Sequence, residues 1–177
     1  GIHPTHAETG YGYIRKGTPI EGSTGFEVAA FVEKPDEETA RRYLEAGEYD
    51  WNSGMFCFTA ENYLRTLEEH APEIYRSALA CWESVDKSSS ALEIPADLFA
   101  ACPADSIDYA VMEKADNCAV VGGDFGWSDI GSWKAISELY QSDESGNRIH
   151  GKAVMVGSRD CFVQSADRLV AAVGVRD

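Results

Sequence analysis

The sequence predicts an α/β fold, a mixed sheet with flanking helices, followed by a tail of short strands. Three observations carry this prediction. β-rich apolar runs alternate with capped amphipathic helices, the signature of an α/β layer structure. The apolar share, 44% of 177 residues with 11% aromatic, is enough for one ordinary globular core. From about Asn147 the texture changes to short strands separated by polar turns, which sets residues 147–177 apart from residues 1–146.

The first 25 residues hold six of the sixteen glycines and few apolar runs, so they read as loops around one strand, Tyr11 to Ile14. Phe26 to Val32 is an uninterrupted β-rich run of the kind buried on both faces. It ends at Glu33-Lys34-Pro35, and a helix follows. Asp36 is its N-cap, Glu37 and Glu38 suit the positive end of the helix dipole, Ala40, Tyr43 and Leu44 share a face, and Gly47 stops it. Trp51 to Phe58 reads as the next strand. Thr59 caps a helix with Tyr63, Leu64 and Leu67 aligned, and after Pro72 a further helix places Ile74, Ala78, Leu79 and Trp82 on one stripe, both read as core-facing. The DKSSS stretch near residue 88 is a loop. Asp105 or Ser106 caps a short helix through SIDYAVMEK, CAVV is a strand, and after GGDFGWSDIG a helix carries Trp133, Ile136, Leu139 and Tyr140 on one side. The tail strands are KAVMVG, CFVQ and RLVAAVGV.

Charge and composition exclude several classes. A formal net charge of -15 is wrong for a nucleic-acid surface, which needs a basic patch to displace counterions. No stretch approaches the roughly 18 apolar residues of a membrane span, and nothing resembles a signal peptide, so a cytoplasmic protein is expected. Five cysteines (57, 81, 102, 118 and 161) and four histidines show no zinc-type or H-x-x-x-H spacing. The G-x-G at Gly10 and Gly12 lacks the third glycine and the helix of a dinucleotide loop.

Three polar clusters lie where α/β proteins place ligands, at loops that follow strands or precede helices. They are Glu33 and Lys34 in FVEKP, Asn52 to Gly54 in WNSGMF, and Asp129 in GWSDIGSW. Taken singly, each also reads as ordinary structure: a charged strand tip, a turn, a helix-start carboxylate. Taken together, an EKP tip and an NSG stretch separated by one helix fit a strand–helix–strand unit whose right-handed crossover brings both toward one sheet.

ETGYGYI at 8–14, FVEKP at 31–35, WNSGMF at 51–56, SIDYAVMEK at 106–114, GWSDIGSW at 126–133 and RLVAAVGV at 168–175 together resemble the bacterial mannose-1-phosphate guanylyltransferases. These are also called GDP-mannose pyrophosphorylases and are often fused to a mannose-6-phosphate isomerase. EKP is shared by many sugar-nucleotide pyrophosphorylases; the combination is specific to this group. The resemblance implies a nucleotide-diphospho-sugar transferase (Rossmann-like) fold, of which this chain is similar to the C-terminal half, ending in the start of a β-helix. It implies attack of the mannose-1-phosphate oxygen on the α-phosphorus of GTP, with GDP-mannose formed and pyrophosphate released. Such a displacement depends on alignment and charge neutralisation. By the same resemblance, Lys34 binds the sugar phosphate, Glu33 and Asn52 meet sugar hydroxyls, and the Tyr11 and Gly12 backbone packs on the ring. Asp129 binds Mg²⁺, so that Lys34 and Asp129 are the expected catalytic residues.

The family's glycine-rich nucleotide loop, its Pro-Lys segment and its second metal-binding aspartate have no counterpart here. The expectation is therefore a sugar-phosphate-binding half that is inactive by itself and associates with another copy or fragment through exposed sheet edges. Two alternatives stay open: an inert sugar-phosphate or sugar-nucleotide binding module, and a glucose-1-phosphate nucleotidyltransferase.

Overall fold

A computed structural model describes residues 1–176. The chain forms two compact units, Gly1–Phe125 and a second beginning at Gly126.

The first unit is built on a four-stranded sheet of β1 (Tyr13–Pro19), β2 (Gly25–Val32), β3 (Tyr49–Trp51) and β4 (Ala119–Val121), in the order β3-β1-β2-β4 with every pair antiparallel. Because β2 and β3 both run against β1, they are parallel to each other with β1 between them. The expected strand–helix–strand unit exists, but its crossover skips a strand. Ile2 bridges Trp51 on β3 and Gly123 beyond β4, so the two ends of the sheet are joined through it and the sheet curls.

The crossover helix α1 (Glu37–Ala46) forms as its sequence dictates. Asp36 accepts a hydrogen bond from the Thr39 N–H at 2.8 Å, and Gly47 closes the helix at φ 68°, a left-handed conformation that costs glycine nothing. It seats Tyr43 on Tyr49 with ring centroids 3.9 Å apart and against the fully buried Tyr13. Thr59 caps α2 (Ala60–His70) through the Asn62 N–H, and α3 (Pro72–Ser84) begins on proline, whose fixed φ suits a first turn. A five-residue helix, α4 (Ala96–Ala100), was not expected. SIDYAVMEK forms a wide π-turn over Asp108–Met112 instead of an α-helix, closed by the Glu113 N–H donating to the Asp108 carbonyl at 2.9 Å. Its Ala110 and Val111 pack with Leu67 of α2, while Met112 packs against the sheet cluster of Ile14, Phe31 and Val120.

Four expectations need correcting. The first strand begins at Tyr13, not Tyr11. β2 is not buried on both faces; along it Phe31 is buried and its neighbours are half-buried, because only one face of this antiparallel sheet is covered. The third strand ends at Trp51, and Asn52 to Phe58 run on outside any ladder. The helix stripes are only partly core. Leu67 is buried, but Leu64, Leu79 and Trp82 are exposed, because period 3.6 says which residues share a face and not what covers it.

The second unit contains α5 (Trp133–Glu138), capped by Ser132, and four short strands: β5 (Arg148–His150), β6 (Ala153–Val156), β7 (Phe162–Gln164) and β8 (Val170–Val173). β5 pairs with β7 and β6 with β8, both parallel and in register. Two parallel ladders formed by successive passes of one chain are the geometry of a β-helix coil. The buried Asn147 ties this coil together. Its amide donates to Asp143 and to the Ser158 carbonyl, each at 3.1 Å, and its oxygen accepts from the Cys161 N–H at 3.2 Å. The segment after α5 packs with the tail, since Tyr140 lies against His150 and Phe162. Trp133 at the start of α5 is 74% exposed.

Candidate functional site

Strand register assembles the site in the first unit. Tyr13 of β1 faces Val32 on one side and Trp51 on the other. One residue further along, Gly12 is therefore flanked by Glu33 and Asn52, the ends of two parallel strands 19 residues apart in sequence. The Asn52 N–H donates to the Gly12 carbonyl at 2.7 Å. A Cβ on residue 12 would overlap Glu33 Oε2 and stand 3.1 Å from Asn52 Cβ, so only glycine leaves room for both side chains.

Glu33 is held in place yet incompletely used. Its side chain is 9% exposed, and Oε1 lies 3.3 Å from Lys34 Nζ. Oε2 is buried and has no hydrogen-bond partner. A buried carboxylate oxygen without a donor is costly, and a ligand hydroxyl would satisfy it. The Glu33 N–H donates to Glu113 Oε1 at 3.1 Å.

Lys34 has the reverse character. Its side chain is 58% exposed, so the ammonium paired with Glu33 is still reachable by an anion, while its backbone sits at φ 48°. That left-handed conformation is uncommon for lysine, and the residue stands before Pro35, which disfavours helical backbone. Such strain concentrates at ligand sites.

Asn52 is anchored twice. Its Nδ2 donates to Asp108 Oδ1 at 2.9 Å and its Oδ1 accepts from the Gly54 N–H at 2.9 Å. One amide N–H and one lone pair remain for a ligand. Tyr11 packs edge-on against the buried Trp51, centroids 5.2 Å apart, which fixes the chain entering Gly12. Nearby, the Gly10 N–H hydrogen-bonded to Glu8 holds that carboxyl below its usual range.

Five of the six residues singled out from the sequence thus lie within this unit: Tyr11, Gly12, Glu33, Lys34 and Asn52. Asp129 belongs to the second unit, exposed on an irregular segment just before α5, beside Ile130 at φ 50°. Among the described residues no group of three or more His, Cys, Asp or Glu side chains could hold a metal. Asp108 and Glu113 were missed. They are five residues apart, a spacing that points to opposite sides of an α-helix, so no helical-face reasoning pairs them.

Comparison with known proteins places the chain in a family. The nucleotidyl transferase family model matches residues 1–146. Mannose-1-phosphate guanylyltransferases of Klebsiella pneumoniae and Escherichia coli are 48% and 47% identical across the whole of this chain. The chain spans 38% of the length of each. Among solved structures, mannose-1-phosphate geranyltransferase from Thermus thermophilus is similar at a TM-score of 0.82 with 34% identity, over 99% of this chain and 50% of that one. Mannose-6-phosphate isomerase from Helicobacter pylori is similar over 73% of this chain and 50% of its own, at a TM-score of 0.65 and 27% identity. The fold is that of a nucleotide-sugar transferase, and the chain belongs to the nucleotidyl transferase family.

Proposed function

We propose that these residues form the sugar-phosphate side of a mannose-1-phosphate guanylyltransferase, which joins mannose-1-phosphate to GTP, yielding GDP-mannose and pyrophosphate. The observation that carries this reading is the cluster at Gly12, in which a buried, unpartnered Glu33 Oε2 lies beside a twice-anchored Asn52 and the next residue is an exposed lysine. The names of the guanylyltransferase relatives support it.

In this reading Glu33 Oε2 accepts from a sugar hydroxyl and the spare Asn52 N–H donates to another. The Gly12 backbone lies against the ring, and Tyr11, braced on Trp51, keeps that backbone in place. The Lys34 ammonium holds the phosphate as a compact point charge. These contacts fix the attacking phosphate oxygen, so the chain's contribution is orientation and charge neutralisation.

The family generally uses a divalent metal, and we assign Mg²⁺ to Asp129. A carboxylate is the hard oxygen donor this ion takes, and Mg²⁺ commonly uses one or two carboxylates with waters and substrate phosphates completing the shell. When bound it supplies charge stabilisation at the α-phosphoryl group. The chain spans 38% of the length of these guanylyltransferase relatives, and we expect this polypeptide by itself to bind mannose-1-phosphate without producing GDP-mannose. We also place the protein in the cytoplasm and expect it to self-associate through exposed strand edges. Among the described residues no helix is long and apolar enough to cross a membrane.

Calorimetric titration with mannose-1-phosphate, glucose-1-phosphate and GDP-mannose, with and without Mg²⁺, tests the assignment. Saturable mannose-1-phosphate binding that Lys34→Ala weakens is expected. Preference for glucose-1-phosphate would move the substrate, and absence of binding by all three would remove the reading.

A further inference from the structure

Two acidic side chains that meet the proposed site from behind belong to one element. Asp108 Oδ1 accepts from the Asn52 amide at 2.9 Å, and Glu113 Oε1 accepts from the Glu33 backbone N–H at 3.1 Å. In an α-helix residues five apart diverge by about 140° at roughly 100° per residue, so these two carboxylates would face different ways. The chain here instead makes a π-turn, closed by the Glu113 N–H on the Asp108 carbonyl. Widening the turn to an i→i+5 bond brings residues i and i+5 toward one side. Both carboxylates then face the strand ends, while Ala110 and Val111 between them are buried against Leu67 of α2. Wide turns of this kind recur at functional sites.

We propose that Asp108 and Glu113 are positioning residues, and that the π-turn exists to hold Asn52 and Glu33 in place from a single rigid element. This rests on the assignment of Asn52 and Glu33 to a sugar phosphate. Asp108 acts through Asn52: it takes one amide hydrogen and so turns the other, with the remaining lone pair, outward. Glu113 acts through the backbone at the end of β2, fixing where the Glu33 side chain starts.

The test uses the full 177-residue chain labelled with ¹⁵N. The Asn52 side-chain amide pair is identified by its loss in Asn52→Ala, and the Glu33 backbone amide is assigned alongside it. In the wild type one Asn52 amide proton is expected to be shifted and slow to exchange. Asp108→Ala should return it to the values of an exposed amide, and Asp108→Asn, which keeps an acceptor oxygen, should largely restore it. Glu113→Ala should speed exchange at the Glu33 amide. Calorimetry with mannose-1-phosphate supplies the second readout. Asp108→Ala should weaken binding about tenfold, the size of one hydrogen bond to a charged group, and should have little further effect once Asn52 is alanine. An unchanged Asn52 signal in Asp108→Ala, or an equal affinity loss with and without Asn52, overturns the proposal. If the wild type binds no mannose-1-phosphate, the functional reading fails, and the amide signals alone decide whether the π-turn clamps these residues.

Discussion

Glu33 and Asp129 are both carboxylates proposed to meet the same reaction, and the protein treats them oppositely. Glu33 ends a paired strand, is almost fully buried, and is fixed by its register against Gly12. Asp129 sits exposed on an irregular segment. The contrast fits the partner proposed for each. Sugar hydroxyls are weak, directional partners, and recognising them requires groups positioned in advance in a water-poor site. A hydrated cation keeps much of its water, so a carboxylate left in solvent takes it up without a desolvation cost.

The sharpest way to break this contrast is at Gly12. Gly12→Val drives a side chain into Glu33 and Asn52; it should weaken mannose-1-phosphate binding by roughly 10- to 100-fold, the value of a hydrogen bond to a charged group. It should also cost about 1–3 kcal/mol of stability by overpacking. Calorimetry and urea unfolding read the two effects. Lys34 separates strain from function. Lys34→Gly should lose phosphate affinity as Lys34→Ala does, yet unfold at higher urea, since glycine accepts φ 48° and a strained non-glycine residue costs on the order of 1 kcal/mol. Equal stability of the two variants would show that no strain is stored there.

A pH titration compares the units. Hydrogen bonds from Asn147 hold the Asp143 carboxyl below its usual range, and those from Thr39 do the same for Asp36. A depressed folded value means that stability is fully present above the unfolded carboxylate value, about 3.9, and is lost as pH falls through the folded one. Asp143→Asn should therefore flatten the acid limb of tail unfolding followed by hydrogen exchange at the Cys161 amide, which donates to Asn147. The smallest effect on binding is expected at Asp129→Asn, which should remove any Mg²⁺ response in the titrations while leaving mannose-1-phosphate binding without Mg²⁺ unchanged.

Local rules were legible in the sequence. Asp36 and Thr59 cap the helices expected of them, and Gly47 stops α1, because capping depends on a residue's own side chain and its nearest amides. FVEKP and WNSGMF stand out in the sequence as candidate segments, but the contact of both with Gly12 does not. It depends on β1 lying between β2 and β3, a non-local pairing that neither segment encodes. Met55 to Phe58 look like a strand because they are apolar and rich in phenylalanine, yet they join no ladder. The π-turn was illegible for a similar reason. Its extra residue is set by packing of Ala110, Val111 and Met112 on two sides, not by propensity.

The β1–β2 hairpin carries one more consequence. Its pairing is regular from Tyr13 to Arg15, slips by one residue at Lys16↔Val28, and returns to the original register at Pro19↔Phe26. The turn from Ile20 to Thr24 is thus insulated from Gly12 by an irregular stretch that absorbs changes of length. That loop is the natural place in the first unit to splice in a tag or a reporter without disturbing the opposite end of the ribbon.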